Sequence, residues 1–250
     1  MSVTLCPTLA GKNAPMCWSL GVTVAMVAAG TAATGVSLAR RDPVAIPVTL
    51  GYFTLMEAIQ VAGYSVIDQC GAPANEIATY LAILHIVFQP IVINAFIMTL
   101  VPPAPWVRAG VFILAGLASL VMLLQLYPFA WAGACEAGSN LCAARLCTIS
   151  GDWHLAWDVP YNGLLNGIDG RFGLTLGFPA YMLAVFVLPV LYGAWRFALF
   201  HLLVGPVLAG QLTDNPNEVP AIWCLTAIAI IAIALLPPVR RVFSARPAPA

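Results

Sequence analysis

Long apolar runs broken by short polar punctuation dominate the chain. Seven of them reach or approach the roughly 20 residues needed to cross about 30 Å of hydrocarbon. They cover residues 16–38, 44–67, 77–101, 109–131, 178–195, 197–212 and 219–237. The fifth and sixth are contiguous in hydropathy, divided only by Arg196, and the sixth is short. One long stretch, 132–177, is instead rich in Gly, Asn, Asp and aromatic residues. A loop of that length in a compact protein is usually a cap or a functional element. The pattern predicts an all-α fold, a polytopic transmembrane bundle of seven helices. Its organisation reads as a tail at 1–15, one membrane domain at 16–237 that includes the loop 132–177, and a second tail at 238–250. The first residues lack the basic-then-apolar order of a signal peptide. Met16 offers a start alternative to Met1.

Composition agrees with this reading. Of 250 residues, 61% are hydrophobic and 8% charged, against about 45–50% and about 25% in soluble domains. So few charges exclude a cytosolic enzyme or a disordered tail. A net charge of zero without a basic stripe gives no partner in nucleic acid. The partners implied are the lipid bilayer and a lipid or hydrophobic small molecule.

Charge placement sets the expected orientation. With the N-terminus outside, Arg40, Arg41, Arg108, Arg196, Arg240, Arg241 and Arg246 fall inside, and only Lys12, Arg145 and Arg171 fall outside. This satisfies the positive-inside rule and predicts an N-out, C-in topology. The loop 132–177 would then face the periplasm of a bacterial inner membrane. The single lysine lies in the tail, so no span can carry a retinal Schiff base.

All seven cysteines fall on the outer side of that topology. The periplasm is oxidising. Cys70, Cys135, Cys142 and Cys147 are therefore disulfide candidates that would staple the loop into a cap, with connectivity open. Their spacings do not match zinc knuckles. Cys17 and Cys224 start two different spans and are read either as a pair or as small buried residues.

Few polar residues enter the apolar runs, and a charge there is costly enough to need a reason. Glu57 lies near the middle of the second run, with Gln60 on its helix face. His85 and Gln89 share a face of the third. Counting about 1.5 Å per residue puts Glu57 and His85 at similar depth, so these four form a candidate buried polar cluster. Gln125, with Tyr127 and Pro128, would line the same cavity. Pro47, Pro90, Pro128, Pro189 and Pro206 allow bends. In the loop, His154 and Asp158 are four residues apart and would share one face of a short helix. There they could chelate a metal or form a His–carboxylate pair. Trp153, Trp157 and Tyr161 read as an interfacial aromatic stripe. Asp214, Asn215 and Pro216 form a turn, and Glu218 opens the last helix at its positive dipole end. His201, five residues past Arg196, reads as a packed or interfacial residue near the inner side.

The segment Met16-Cys17-Trp18-Ser19, the second-span sequence GYFTLMEAIQ and the third-span HIVFQP resemble a family of uncharacterised bacterial integral membrane proteins. Its members begin Met-Cys-(Phe/Trp)-Ser and carry a Glu in the second span. The segments WHLAWDVPYNG and NPNEVPAIWC look like a narrower subgroup. A looser likeness is to seven-span membrane hydrolases of the alkaline ceramidase and adiponectin-receptor type, which hold zinc inside the bundle. The chain departs from them in having no histidine in its last span.

Three functions compete. The first is a metal-dependent, hydrolase-like enzyme acting on a lipid or hydrophobic molecule. Glu57, His85, His154 and Asp158 would hold a divalent metal, zinc before others. His154 and Asp158 would act as base and orienter, and Ser19 would polarise the substrate. Haem between His85 and His154 is disfavoured beside zinc. The second is a transporter or small-molecule-binding bundle using Glu57 as a protonatable carboxylate. The third is an accessory subunit of a membrane complex.

Overall fold

A computed structural model describes residues 19–169 and 177–244. The expectations for the start site, the 1–15 tail, Lys12, Cys6, Cys17, Trp18, Arg171 and Arg246 lie outside those residues. Four helices follow one another, α1 (Leu20–Ala39), α2 (Ala45–Ser65), α3 (Pro73–Leu100) and α4 (Pro105–Leu126), each packed on the next. After the cap come α5 (Pro179–Leu191), α6 (Trp195–Leu212), α7 (Val219–Leu235) and a short α8 (Pro237–Phe243). α1–α4 and α6 are long and apolar enough to cross a membrane. α5 covers only about 20 Å at 1.5 Å per residue.

Local chemistry explains the ends. Pro residues occupy the first turns of α3, α4, α5 and α7, where a missing N–H costs nothing. The divider between the fifth and sixth segments is Gly193, in the left-handed region at φ 91. Arg196 lies inside α6 instead. Gly193 fits because a residue without a Cβ takes this conformation without strain.

The outside of the bundle is a belt of exposed apolar side chains, including Leu55, Ile77, Leu81, Ile113, Leu117 and Leu199. A soluble monomer does not present such a surface. With the five long helices, it makes this a membrane protein. Exposed Trp106 and Trp195 mark one end of the belt, Tyr127 and Trp131 the other, where interfacial aromatics belong. α1 is the least buried of the five long helices. Only Thr23, Gly30, Ala33 and Ser37 of it are buried, and a Cβ at Gly30 would strike Thr54 of α2. Small residues thus let two backbones approach without a hydrophobic driving force.

The two ends differ in character. Arg40 donates to the Leu235 carbonyl at 3.2 Å, Arg196 to that of Val242 at 3.4 Å, and Arg240 pairs with Asp42 at 3.7 Å. The opposite end carries the cap. Disulfides join Cys70 to Cys147 and Cys135 to Cys142. Both fall within the expected set, and the second is local to the loop. The cap's core is an antiparallel hairpin of β1 (Cys147–Ser150) and β2 (Leu155–Asp158), with Thr148 opposite Trp157.

This hairpin replaces the expected short helix at 153–158. Leu155, Ala156 and Trp157 are buried, and Trp157 and Tyr161 both lie in the main core, so the aromatic stripe expected at the interface is internal for those two residues. Tertiary ties decide the matter. The Asn75 amide clamps β1, donating to the Thr148 carbonyl at 2.8 Å and accepting its N–H at 3.0 Å. Asp68 accepts from the Ser150 N–H at 2.8 Å and from its hydroxyl at 2.6 Å. A strand edge satisfied in this way outweighs a weak local helical preference.

The Cys70–Cys147 bridge spans 77 residues and the Cys135–Cys142 bridge 7. Loop-closure entropy then ranks them. Removing the long bridge with paired serines should cost roughly 2–4 kcal/mol and the short one about 2 kcal/mol or less. Thermal unfolding in detergent with and without reductant should show that order.

Candidate functional site

The polar residues of α2 and α3 form two networks rather than one cluster. Glu57, Gln60, His85 and Gln89 are all buried, at 4%, 1%, 5% and 3% exposure. Gln60 faces the cap. Its Oε1 lies 2.7 Å from Nε2 of His154, whose Nδ1 lies 2.6 Å from the Tyr64 hydroxyl. His85 faces the bundle interior. Its Nε2 lies 2.7 Å from the Tyr52 carbonyl, its ring stacks on the Tyr52 ring at 3.8 Å, and the Tyr52 hydroxyl donates back to the His85 carbonyl at 2.5 Å. Gln89 continues this network. Its amide N lies 3.4 Å from His85 Nδ1, and its Oε1 accepts from the Tyr181 hydroxyl at 2.6 Å.

The acceptor-only and donor-only partners fix the tautomers. A carbonyl can only accept, so His85 carries its proton on Nε2 and His154 does likewise opposite Gln60 Oε1. Both ring nitrogens of both histidines are committed within the protein. Asp158 accepts from the Asn217 side-chain amide at 2.7 Å, away from His154's partners. Ser19 is exposed at the start of α1 and makes no side-chain cap bond. Gln125 ties the cap to α4 by donating to the Gly177 carbonyl at 3.2 Å. The expected zinc set of Glu57, His85, His154 and Asp158 is thus dispersed over separate partners. Among the described residues no group of three or more His, Cys, Asp or Glu side chains comes together.

The cap is latched by Glu218. Its carboxylate accepts the backbone N–H of Asp152 at 3.1 Å, of Trp153 at 2.6 Å and of His154, and the Thr213 hydroxyl at 2.5 Å. Three consecutive amides converge on one carboxylate because residue 151 is glycine; a Cβ there would lie 2.5 Å from the Glu218 carboxyl carbon. The acid expected to serve its own helix instead holds the cap. Burial raises its proton affinity, against the pull of its four donors.

Between α2, α3, α5, α6 and α7, under the cap residues Asn140 and Leu141, lies a cavity of about 340 Å³. Its polar lining includes Gln89, Tyr181, His201, Trp223 and Cys224. Of these, the sequence suggests a site role only for Gln89; it places His201 as a packed or interfacial residue and Cys224 as one of a pair or a small buried residue. Cys224 is a buried free thiol. His201 is 5% exposed within α6, packed as its sequence position suggests. The Trp223 indole N–H donates to its Nε2 at 3.1 Å.

Two irregular helices border this space. α5 contains a π-helical segment at Leu183–Val187 and α6 another at Leu203–Val207, with Gly205 off helical geometry at ψ −106. A Cβ at Gly205 would strike the Trp223 ring, so glycine lets the indole seat against the kink. Asn94 of α3 donates to the Ala184 carbonyl within the α5 segment at 2.9 Å. π segments recur at functional sites. The signal in the sequence was a histidine four residues before Gly205-Pro206, facing a Trp-Cys pair on the next helix.

Glu57 is separated from this cavity by Phe53, Cys224 and Ala227, which line both it and a small void of about 10 Å³ beside Glu57. Glu57 Oε2 and Gln60 Nε2 have no hydrogen-bond partner among the described residues.

Burial lowers the His154 pKa from 6.5 to about 3. Sign follows directly: below about pH 6.5 the unfolded chain takes up a proton that the folded cap refuses. Stability should therefore be full above 6.5 and fall by about 1.4 kcal/mol per pH unit down towards 3. Unfolding measured from pH 7 to pH 5 should lose about 2 kcal/mol from this residue, and His154→Gln should flatten that slope.

No significant match arises among curated proteins or among solved structures. One family model, a family of unknown function (DUF5765), matches residues 21–244, from the second residue of α1 to just past α8. The chain belongs to this family of unknown function, DUF5765.

Proposed function

We propose that the protein is a membrane-embedded binding protein for a small, mainly apolar molecule, housed in the cavity between α3, α5, α6 and α7. The cavity itself carries this reading. At about 340 Å³ it falls at the lower end of ligand pockets, and a mostly apolar wall with a few convergent polar groups is their usual lining. Its deep walls, Phe53, Ile86, Tyr181 and Cys224, are buried, whereas Gly210 is exposed. Gly210 therefore marks a mouth near the cap end of the apolar belt, where a membrane-dissolved molecule could enter. The reading favours a binding bundle over a hydrolase because the histidines expected to hold zinc have their ring nitrogens engaged elsewhere.

In this proposal all seven apolar segments cross or enter the bilayer. The basic end, with Arg40, Arg108, Arg196 and Arg240, faces the cytoplasm. The disulfide-held cap faces the periplasm of a bacterial inner membrane and roofs the cavity. Glu57, behind the shared wall, is the group whose protonation would couple to occupancy if the bundle transports its ligand.

Trp223 offers the readout, being the one Trp in the cavity lining among the described residues. An apolar heavy-atom quencher, 1-bromooctane, should quench part of the fluorescence saturably, and Trp223→Phe should remove that part. Gly210→Leu, placed where a Cβ meets nothing within 4 Å, should weaken it roughly tenfold, about 1.4 kcal/mol. Gly35→Leu, exposed and equally open on α1, should leave it unchanged. Unsaturable quenching alike in all four proteins would defeat the proposal.

A further inference from the structure

At the end of the bundle opposite the cap, arginines converge on α8. Leu236 is extended at φ −98 and ψ 100, so the chain changes direction as α7 ends. α8 then runs across the bundle end to α6, where the Phe243 ring meets Phe197 and Phe200 at 6.0 and 5.0 Å. Arg40 bonds the Leu235 carbonyl just before α8, and Arg196 bonds the Val242 carbonyl in its last turn. Each of these two bonds uses one of the five N–H donors of a guanidinium. Arg41 and Arg241 are exposed, and their guanidinium groups have no partner among the described residues. They are neighbours in space, because Asp42 and Arg240, the residues beside them in sequence, are in contact. Asp42 is the one acid at this end among the described residues, and it is already taken by the Ser37 hydroxyl at 3.0 Å and by Arg240 at 3.7 Å. Exposed Leu38, Val44, Leu236 and Val242 stand between these arginines. Trp195, an interfacial aromatic, lies 5.4 Å from the Arg196 guanidinium.

We propose that α8 and the arginines around it form a binding site for an anionic phospholipid, its phosphate on Arg41 and Arg241 and its acyl chain against Leu236 and Val242. Guanidinium groups hold phosphate through paired N–H···O bonds, and basic sites at helix ends select anionic headgroups. Charge decides against a zwitterionic lipid. Its amine would meet arginines, and no carboxylate is left to pair it. Apolar exposure decides against a soluble phosphate ester, which would leave Leu236 and Val242 uncovered. The site lies apart from the cavity and does not depend on it. A lipid held there would join the turn between α1 and α2 to α8 and, through Arg196 and Phe243, to the start of α6.

The test is a native mass spectrometry titration of the full-length protein, in a neutral detergent, with dioleoyl phosphatidylglycerol and dioleoyl phosphatidylcholine. Phosphatidylglycerol should bind roughly tenfold tighter. Arg241→Gln should lose most of that preference, and adding Arg41→Gln should remove the rest while leaving phosphatidylcholine binding unchanged. Both side chains are exposed and unpaired among the described residues, so these variants should keep the wild-type unfolding temperature in lipid-free detergent. Arg108→Gln takes one charge from the same end but on α4, where the guanidinium lies 5.9 Å from the Phe112 ring centroid; it should keep the preference. Glycerol phosphate at the lipid's concentration should not displace the lipid. Equal affinity of the wild-type protein for the two lipids overturns the proposal. A loss in Arg108→Gln as large as in Arg241→Gln also overturns it, since the attraction then belongs to the whole basic end. Displacement by glycerol phosphate overturns the lipid in favour of a soluble phosphate.

Discussion

In hydrocarbon there is no water to complete a hydrogen bond, so each polar group carried into the bundle must find its partner within the chain. Much of this structure is an answer to that constraint. Tyr52 and His85 satisfy one another twice, each side chain bonding the other's backbone carbonyl. Asn94 takes the Pro90 carbonyl and that of Ala184, and its own oxygen accepts from Tyr192. These bonds also decide which helices touch: the first fastens α2 to α3, the second fastens α3 to the irregular part of α5. Polar residues in the spans act as the positioning elements of a core whose apolar residues provide volume but little direction.

The same accounting extends into the cap. The cap residues 127–169 would be a liability at a membrane surface if their backbone were free. Three anchors hold them. Asn75 and Asp68 dock β1 on the α2–α3 connection, Glu218 gathers the amides of 152–154 at the start of α7, and Asn162 closes the end of α4 by donating to the carbonyls of Leu124 and Tyr127. Two of these anchors are side chains at helix ends bonding loop backbone, and the third is a loop side chain bonding the backbone of a helix end, so the cap is registered to the helices beneath it. His154 fits that arrangement because its backbone meets Glu218 while its ring reaches Gln60 in α2. The cap roof and the wall of the bundle are consequently mechanically continuous.

How much of this the sequence disclosed depended on the range of the interaction involved. The apolar segments were legible because hydropathy over about 20 residues depends on the bilayer alone. The four bridging cysteines were legible as a set, since their shared side follows from topology, but their pairing needed three dimensions. The hairpin at 147–158 is not legible locally, because His154 and Asp158 have helical spacing while the forces on the segment come from Asn75, Asp68 and Glu218, far away in sequence. Glu57, Gln60, His85 and Gln89 are legible as buried, yet helix-face arithmetic does not show that Gln60 looks towards the cap and His85 towards Tyr52. His201 is packed, as its sequence position suggests, but that position alone does not show that it borders a cavity beside Trp223.

The two halves of the bundle also differ in how easily they deform. α2 and α3 are unbroken, and α3 stays helical for 28 residues straight through Pro90. α5 and α6 each contain a π-helical segment, and α6 adds the Gly205–Pro206 distortion. A regular helix gives up intact hydrogen bonds when it bends, whereas one already interrupted by a proline and a π turn has fewer to lose. The cavity lies on the seam between these halves, with Ile86, Gln89 and Ile93 of α3 on one wall and His201, Pro206 and Gly210 of α6 on the other. Its exposed lining residue, Gly210, belongs to the pliable side. Adjustment to a ligand is therefore cheapest at α6, the helix that carries His201, while α3 and the latched cap keep the remaining walls fixed.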